Sequence, residues 1–264
     1  MRMVKATPSA ALILRDIRAA LDSRLDGRGD RGDKTKGIVL KSPLKALGVR
    51  PSFLRSIARE IEGRTRPSME YPVALALVDA AVARKVREEI LVALEVLEHH
   101  QKEFAPGLFA KVEKWSAVAD DLEVAEVLGT RVAAPALRLE PSKLNVVRKW
   151  AKLKSLGKRH LAVLAATGLV MDGHREAAAV LNLAETLLDE LNPVMVGAVA
   201  RLLRETTRVD AKAVQDFLFR RSIDGNPDIL RAGSENLDAA RRAALIAKLE
   251  AQAALTAPLA AAER

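Results

Sequence analysis

Residues 87–100 read REEILVALEVLEHH. Ile90, Leu91, Leu94 and Leu97 recur at intervals that place them on one face of an α-helix, with charged residues opposite. The same pattern extends outward in both directions. Phe53, Leu54, Ile57 and Ile61 form a stripe upstream. Val118, Leu122, Ala125 and Leu128 form one downstream, followed by Leu187, Leu188 and Leu191, and by Leu237, Ala240, Ala244, Leu245 and Leu249. Ala, Leu, Glu, Arg and Lys dominate, all good helix formers, and period-two runs of β-branched or aromatic residues are missing. Breakers at Pro51, Pro67, Pro72, Pro106, Pro135, Pro141, Gly157, Gly173, Pro193, Gly225 and Pro227 cut the chain into pieces one or two helices long. These features predict an all-α fold of short amphipathic helices. Antiparallel pairs would stack as a solenoid of about six HEAT-type repeats of ~40–47 residues. An irregular helical bundle is the alternative, since no clean period is visible in the sequence.

Composition narrows the function. The 264 residues are 49% apolar and 29% charged, a globular balance. Two Trp, one Tyr and five Phe are too few for a stacking platform on single-stranded nucleic acid. The absence of cysteine excludes disulfides, thiolate zinc sites, cysteine-ligated clusters and cysteine nucleophiles. It fits a reducing cytoplasm. No phosphate-binding GxxxxGK[ST] occurs, and His99-His100 point about 100° apart on a helix, too far apart to share a metal easily. No metal and no cofactor is therefore expected. The N-terminal apolar patch is broken by Arg15 and Asp16, and the longest mostly apolar run, Leu161–Met171, is too short to span a bilayer. A soluble, cytoplasmic monomer is the expectation. Asp26–Gly37, DGRGDRGDKTKG, reads as a mobile charged loop, and the Ala-rich tail after Leu249 is expected to fray.

The excess positive charge is concentrated. Of the chain's net +9, the stretch Arg138–His160 supplies +7, from eight Lys and Arg against Glu140 alone. Lys152, Lys154, Lys158 and Arg159 surround Ser155-Leu156-Gly157, which reads as a turn before a new helix. A basic turn at a helix N-terminus suits phosphate, because backbone N–H groups and the helix dipole add to the side-chain charges. A solvated basic face is the plain alternative. Among partners, nucleic acid leads and an acidic protein comes second.

Five segments fall in order over residues 40–220: PLKALGVRPSFLRSIAREI (Pro43–Ile61), REEILVALEVLEHH, WSAVADDLEVAEVLG (Trp115–Gly129), KRHLAV (Lys158–Val163) and VGAVARLLRE (Val196–Glu205). Together they resemble the AlkD-like DNA alkylation repair family, HEAT-like-repeat DNA glycosylases that excise N3- and N7-alkylated purines. The resemblance implies a right-handed α-α superhelix over residues 38–230, flanked by an N-terminal helix and charged loop (1–37) and a C-terminal helix and tail (231–264). It implies double-stranded DNA as partner, with Arg159 at the family's DNA-contacting arginine and Arg204 in its LRE; taken with the basic stretch, the expected contacts are Arg148, Lys152, Lys154, Lys158, Arg159 and Arg204. Counted back from Gly129, the family's catalytic aspartate falls on Asp121, with Asp120 adjacent. The pocket positions held by tryptophan in the family read Ala117 and Arg201, and Trp115 lies two residues early. If Trp115 sets the register, the aspartate position reads Ala119.

The chemistry shows what is at stake in that register. A purine alkylated at N3 or N7 is a good leaving group, so the enzyme mainly stabilises positive charge growing on the sugar. A carboxylate supplies that stabilisation, and flanking tryptophans add cation–π attraction. Asp121 could supply the first, whereas Arg201 would repel a cationic base. Two other readings stay open: a non-catalytic repeat protein binding damaged, bent or branched DNA, and a scaffold for an acidic protein.

Overall fold

A computed structural model describes residues 8–25, 42–65, 69–171, 173 and 177–262. The charged loop expected at 26–37 lies outside these residues, as do Pro67 and His174. The fold is all-α. Among the described residues the nearest thing to a sheet is one isolated bridge between Lys45 and Val86. Contacts divide the chain into two units, Met1–Lys143 and Leu144–Arg264.

The first unit contains α1 (Ala10–Asp22), α2 (Pro51–Thr65), α3 (Tyr71–Arg84), α4 (Arg87–Glu98), α5 (Leu108–Trp115), α6 (Leu122–Val127) and α7 (Ala134–Leu139). Helix α4 packs against α2 and α6 on its own layer, and α1 packs against α3 in a second layer. Only Lys85 and Val86 separate α3 from α4, so the chain reverses between packed neighbours. Lys85 makes that reversal in the left-handed region, at φ 55°. Helix α4 is buried nearly all round, from Ile90 to Leu97, as befits a helix covered by three others.

The second unit contains α8 (Leu144–Trp150), α9 (Leu156–Met171), α10 (Ala177–Glu185), α11 (Pro193–Thr207), α12 (Ala211–Arg220), α13 (Pro227–Gly233) and α14 (Ala239–Ala262). Helix α11 packs between α9 and α13, while α10 packs on α12. Contact between α11 and α13 is close enough that a Cβ added at Gly233 would meet the Leu203 side chain at 2.8 Å. The chain after Leu249 continues in α14 to Ala262, so the segment expected to fray is helical.

The repeat that the bare sequence conceals is visible in the helix starts. Helices α2, α4, α6, α9, α11 and α13 begin 36, 35, 34, 37 and 34 residues apart. There are about as many as expected, but each repeat is shorter than the HEAT-type length. Proline explains part of the concealment. Pro51, Pro193 and Pro227 are the first residues of their helices and Pro72 the second of α3, where a missing N–H costs nothing and the fixed φ is helical. They mark beginnings rather than breaks. Gly157 likewise is not in the turn. It is the buried second residue of α9, and the turn lies upstream in Ala151–Ser155.

Two buried carboxylates in the first turn of α4 tie the first unit together. Glu88 accepts hydrogen bonds from the backbone N–H groups of Leu47 and Gly48, both at 2.8–2.9 Å, which fixes the segment leading into α2. Glu89, fully buried, pairs with Arg18 of α1 at 3.3 Å and Arg84 of α3 at 2.9 Å. A buried carboxylate is tolerated only when charge and hydrogen bonds replace lost water. Glu89→Gln takes the anion from Arg84 and leaves Arg18 only its partner Asp22, so unfolding free energy should drop by ~1–3 kcal/mol in urea titration.

Candidate functional site

The residues singled out by the sequence fall into both units. Asp121, Trp115 and Ala117 belong to the first; Arg148, Lys152, Lys154, Lys158, Arg159, Arg201 and Arg204 belong to the second.

Asp121 is the N-cap of α6. Its Oδ1 accepts from the Val124 N–H at 3.2 Å, the bond that Ser, Thr, Asp and Asn are favoured to make at this position. Its Oδ2 accepts from Ser42 Oγ at 2.7 Å and from Arg87 Nε at 2.6 Å. The residue is 1% exposed. Burial pushes the Arg87 pKa down, but the hydrogen bond and charge of Asp121 outweigh that and leave it raised. The pair is therefore a locked ion pair that joins α4 to α6 and holds Ser42 on both. Ser42 and Arg87 lie 79 and 34 residues from Asp121, so no local pattern announces them. Asp120 next door is exposed.

Trp115 is 1% exposed at the end of α5, and its indole Nε1 donates to Asp79 Oδ1 of α3 at 2.8 Å. The other oxygen of Asp79 takes Lys111 Nζ. Ala117 lies exposed in the single 3₁₀ turn Ser116–Val118 that follows. After α6 the helix widens into a π turn over Leu128–Ala133, an arrangement often found at functional sites. It carries Arg131, which pairs with Glu95 at 2.9 Å and Glu98 at 2.8 Å. Burial lowers the Arg131 pKa, and the Glu98 bond and Glu95 charge more than restore it. Beside this turn a pocket of about 360 Å³ opens between α2, α4 and α6, floored by Leu54, Leu91 and Leu122 and rimmed by Glu126 and Arg131. Nothing in the sequence pointed to it, because its walls come from three separated segments.

In the second unit the basic residues converge on one turn. Ala151–Ser155 joins α8 to α9. Lys149, Lys152 and Lys154 are exposed there. Ser155 Oγ accepts from the Lys158 N–H at 3.2 Å and so caps α9. The Lys158 ammonium lies 5.2 Å from the Trp150 ring, a cation–π contact. Arg159 faces inward. Its Nη1 donates to the carbonyls of Leu153 at 3.0 Å and Lys154 at 2.8 Å, and its Nε to Glu190 Oε1 at 2.5 Å. Arg148 Nη1 donates to Asn145 Oδ1 at 3.1 Å.

Two arginines sit elsewhere in this unit. Arg201 of α11 lies near Met171 at the end of α9, with Nη2 3.9 Å from Sδ. Arg204 donates to the Ala232 carbonyl at 3.1 Å and pairs with Glu235 at 3.3 Å, so it caps the far end of α13. An open cleft of about 810 Å³ lies where α11 and α13 begin, lined by Asp189, Leu191, Asp224 and Asp228.

Two substitutions separate the parts that Asp121 plays in stability. Asp121→Asn keeps an acceptor for Val124 and loses the charge facing Arg87; Asp121→Ala loses both. Denaturant unfolding should show losses of ~1–2 kcal/mol for the first and ~2–4 kcal/mol for the second.

Among the described residues, no helix is long and apolar enough to cross a membrane. No individual curated protein matches the chain. The family model described as "DNA alkylation repair enzyme" matches residues 34–237, which takes in the helices from α2 to α13, the Asp121 cap and the whole basic turn. With the all-α repeat and a match over most of its length, the chain belongs to the DNA alkylation repair enzyme family.

Proposed function

We propose that this DNA repair protein binds duplex DNA through the turn before α9. The observation that carries this reading is the turn itself. Lys149, Lys152 and Lys154 stand exposed around it, Lys158 follows one helical turn later, and the N-terminus of a 16-residue helix opens beneath them. Two features add up there: ammonium charge and the positive end of the helix dipole. Arg159 supports the site by a different route. It spends its donors on the Leu153 and Lys154 carbonyls and on Glu190, so it holds the turn in shape for the lysines around it. The proposed phosphate contacts are thus Lys149, Lys152, Lys154 and Lys158.

Base excision is the second reading, favoured by the match to a family of repair enzymes. Asp121 is the carboxylate it would use, to stabilise the sugar cation as an alkylated purine leaves. Burial and the bond to Arg87 weigh toward a structural part for Asp121, since the first keeps a sugar from reaching the carboxylate and the second already pairs its charge. The binding reading therefore stands first, with a damaged duplex as its ligand.

Fluorescence anisotropy on a short duplex tests the first reading. Four phosphate contacts give a slope of log K against log[salt] of about −3.6, and Lys152→Ala with Lys154→Ala should shallow it by about 2. A slope near zero in the wild type would exclude the surface. Release of 7-methylguanine from methylated duplex tests the second. If the protein excises, Asp121→Asn should slow release by ~10²–10³ while DNA affinity hardly changes. Release at the wild-type rate would leave Asp121 its structural part alone.

A further inference from the structure

The tip of the basic turn is not wholly basic. Leu153 stands between Lys152 and Lys154 and is 44% exposed. Single exposed leucines are ordinary on protein surfaces. This one differs in its backbone, which is braced on both sides. Its N–H donates to the Trp150 carbonyl at 3.1 Å, and its own carbonyl accepts from Arg159 Nη1 at 3.0 Å. The same Nη1 holds the Lys154 carbonyl at 2.8 Å, and the Lys152 N–H donates to the Lys149 carbonyl at 3.1 Å. Arg159 is anchored in turn by Glu190. These bonds fix the backbone of the turn, and they hold an apolar side chain 44% exposed between two lysines.

Phosphate has no use for an isobutyl group. If Lys152 and Lys154 engage phosphates, the side chain between them meets what lies behind the phosphates, the sugars and base edges of a groove. We propose that Leu153 is a wedge that enters the duplex and presses between base pairs at a weakened step. Lys152 and Lys154 hold the backbone on either side. The proposal rests on the DNA-binding reading above and gives it a means of discrimination. Apolar wedges unstack base steps at an energetic cost, and that cost is least where the stack is already damaged. A braced leucine on a short turn would thus convert local damage into affinity without a base-specific hydrogen bond.

The test uses the full chain with two duplexes of about 20 base pairs, long enough to cover the proposed surface. One is intact; the other carries a tetrahydrofuran abasic site beside 2-aminopurine, whose fluorescence rises when it unstacks. The wild type should bind the damaged duplex roughly fivefold more tightly than the intact one, about 1 kcal/mol. It should also raise the 2-aminopurine signal at saturation. Leu153→Ala should lose both effects while its affinity for intact duplex stays within about twofold. Leu153→Met, which keeps an apolar side chain of similar length, should retain both. Leu153 is exposed, so thermal unfolding of both variants should match the wild type. Equal preference and equal fluorescence in wild type and Leu153→Ala would overturn the wedge and leave DNA binding standing. A wild type that binds neither duplex at low salt would overturn the DNA-binding reading, and the wedge with it.

Discussion

The start of each long-packed helix imposes one demand, an acceptor for backbone N–H groups that have no partner within the helix. The chain meets it in several ways. Asp121 accepts for α6, Ser155 for α9, Asn192 for α11 and Asn226 for α13. Helix α4 has no capping side chain but places Glu88 and Glu89 in its first turn, where the dipole favours negative charge. The solution at 121 is the one that also reaches across the packing. A carboxylate has lone pairs to spare after capping, and Asp121 gives them to Ser42 and Arg87. Glu88 and Glu89 act in the same way toward the chain before α2 and toward α1 and α3. Helices of about six to sixteen residues, too short to be stable alone, are thereby joined through buried charge as well as apolar contact.

That economy sets two uses of Asp121 against each other. A carboxylate that stabilises a developing cation works best when its charge is not already neutralised and when the reacting atom can approach it. A cap paired with arginine works best when it is buried and satisfied. Asp121 meets the second description. Trp115 agrees with this. It spends its indole N–H on Asp79 and lies inside the core.

Much of the fold was legible because helix amphipathicity is local. The stripe Ile90, Leu91, Leu94 and Leu97 predicted α4, and all four side chains are buried. The repeat was not legible. Its spacing is kept by helix starts, and those starts share no one residue: proline at α2, α11 and α13, arginine at α4, leucine at α6 and α9. The basic turn was legible as composition, since it needs only charge density. Arg159 shows the limit of such reading. Its charge was visible in the sequence, but its partner Glu190 lies 31 residues away, and only the packed unit shows the side chain turned inward. The same holds for Asp121, whose cap follows from its place before α6 while its ion pair depends on chain 34 residues upstream.

The turns that precede α9, α11 and α13 hold comparable places in successive repeats, yet their charge differs: positive before α9, negative before α11 and balanced before α13. Before α9 stand Lys152 and Lys154; before α11, Asp189 and Glu190; before α13, Asp224 paired with Arg221. A polyanion drawn to the first turn meets repulsion at the second, except where Arg159 has already neutralised Glu190. The Arg159–Glu190 pair therefore sits on the boundary between a surface that attracts phosphate and one that repels it. It braces the basic turn and cancels the nearest opposing charge in the same contact. Screening limits such fields to roughly 8–10 Å at physiological salt, so this cancellation matters most for phosphates beside the turn itself. A duplex held there would be confined to the α9 end of the second unit. Recognition would then fall to the few side chains at that tip, where Leu153 is the apolar one.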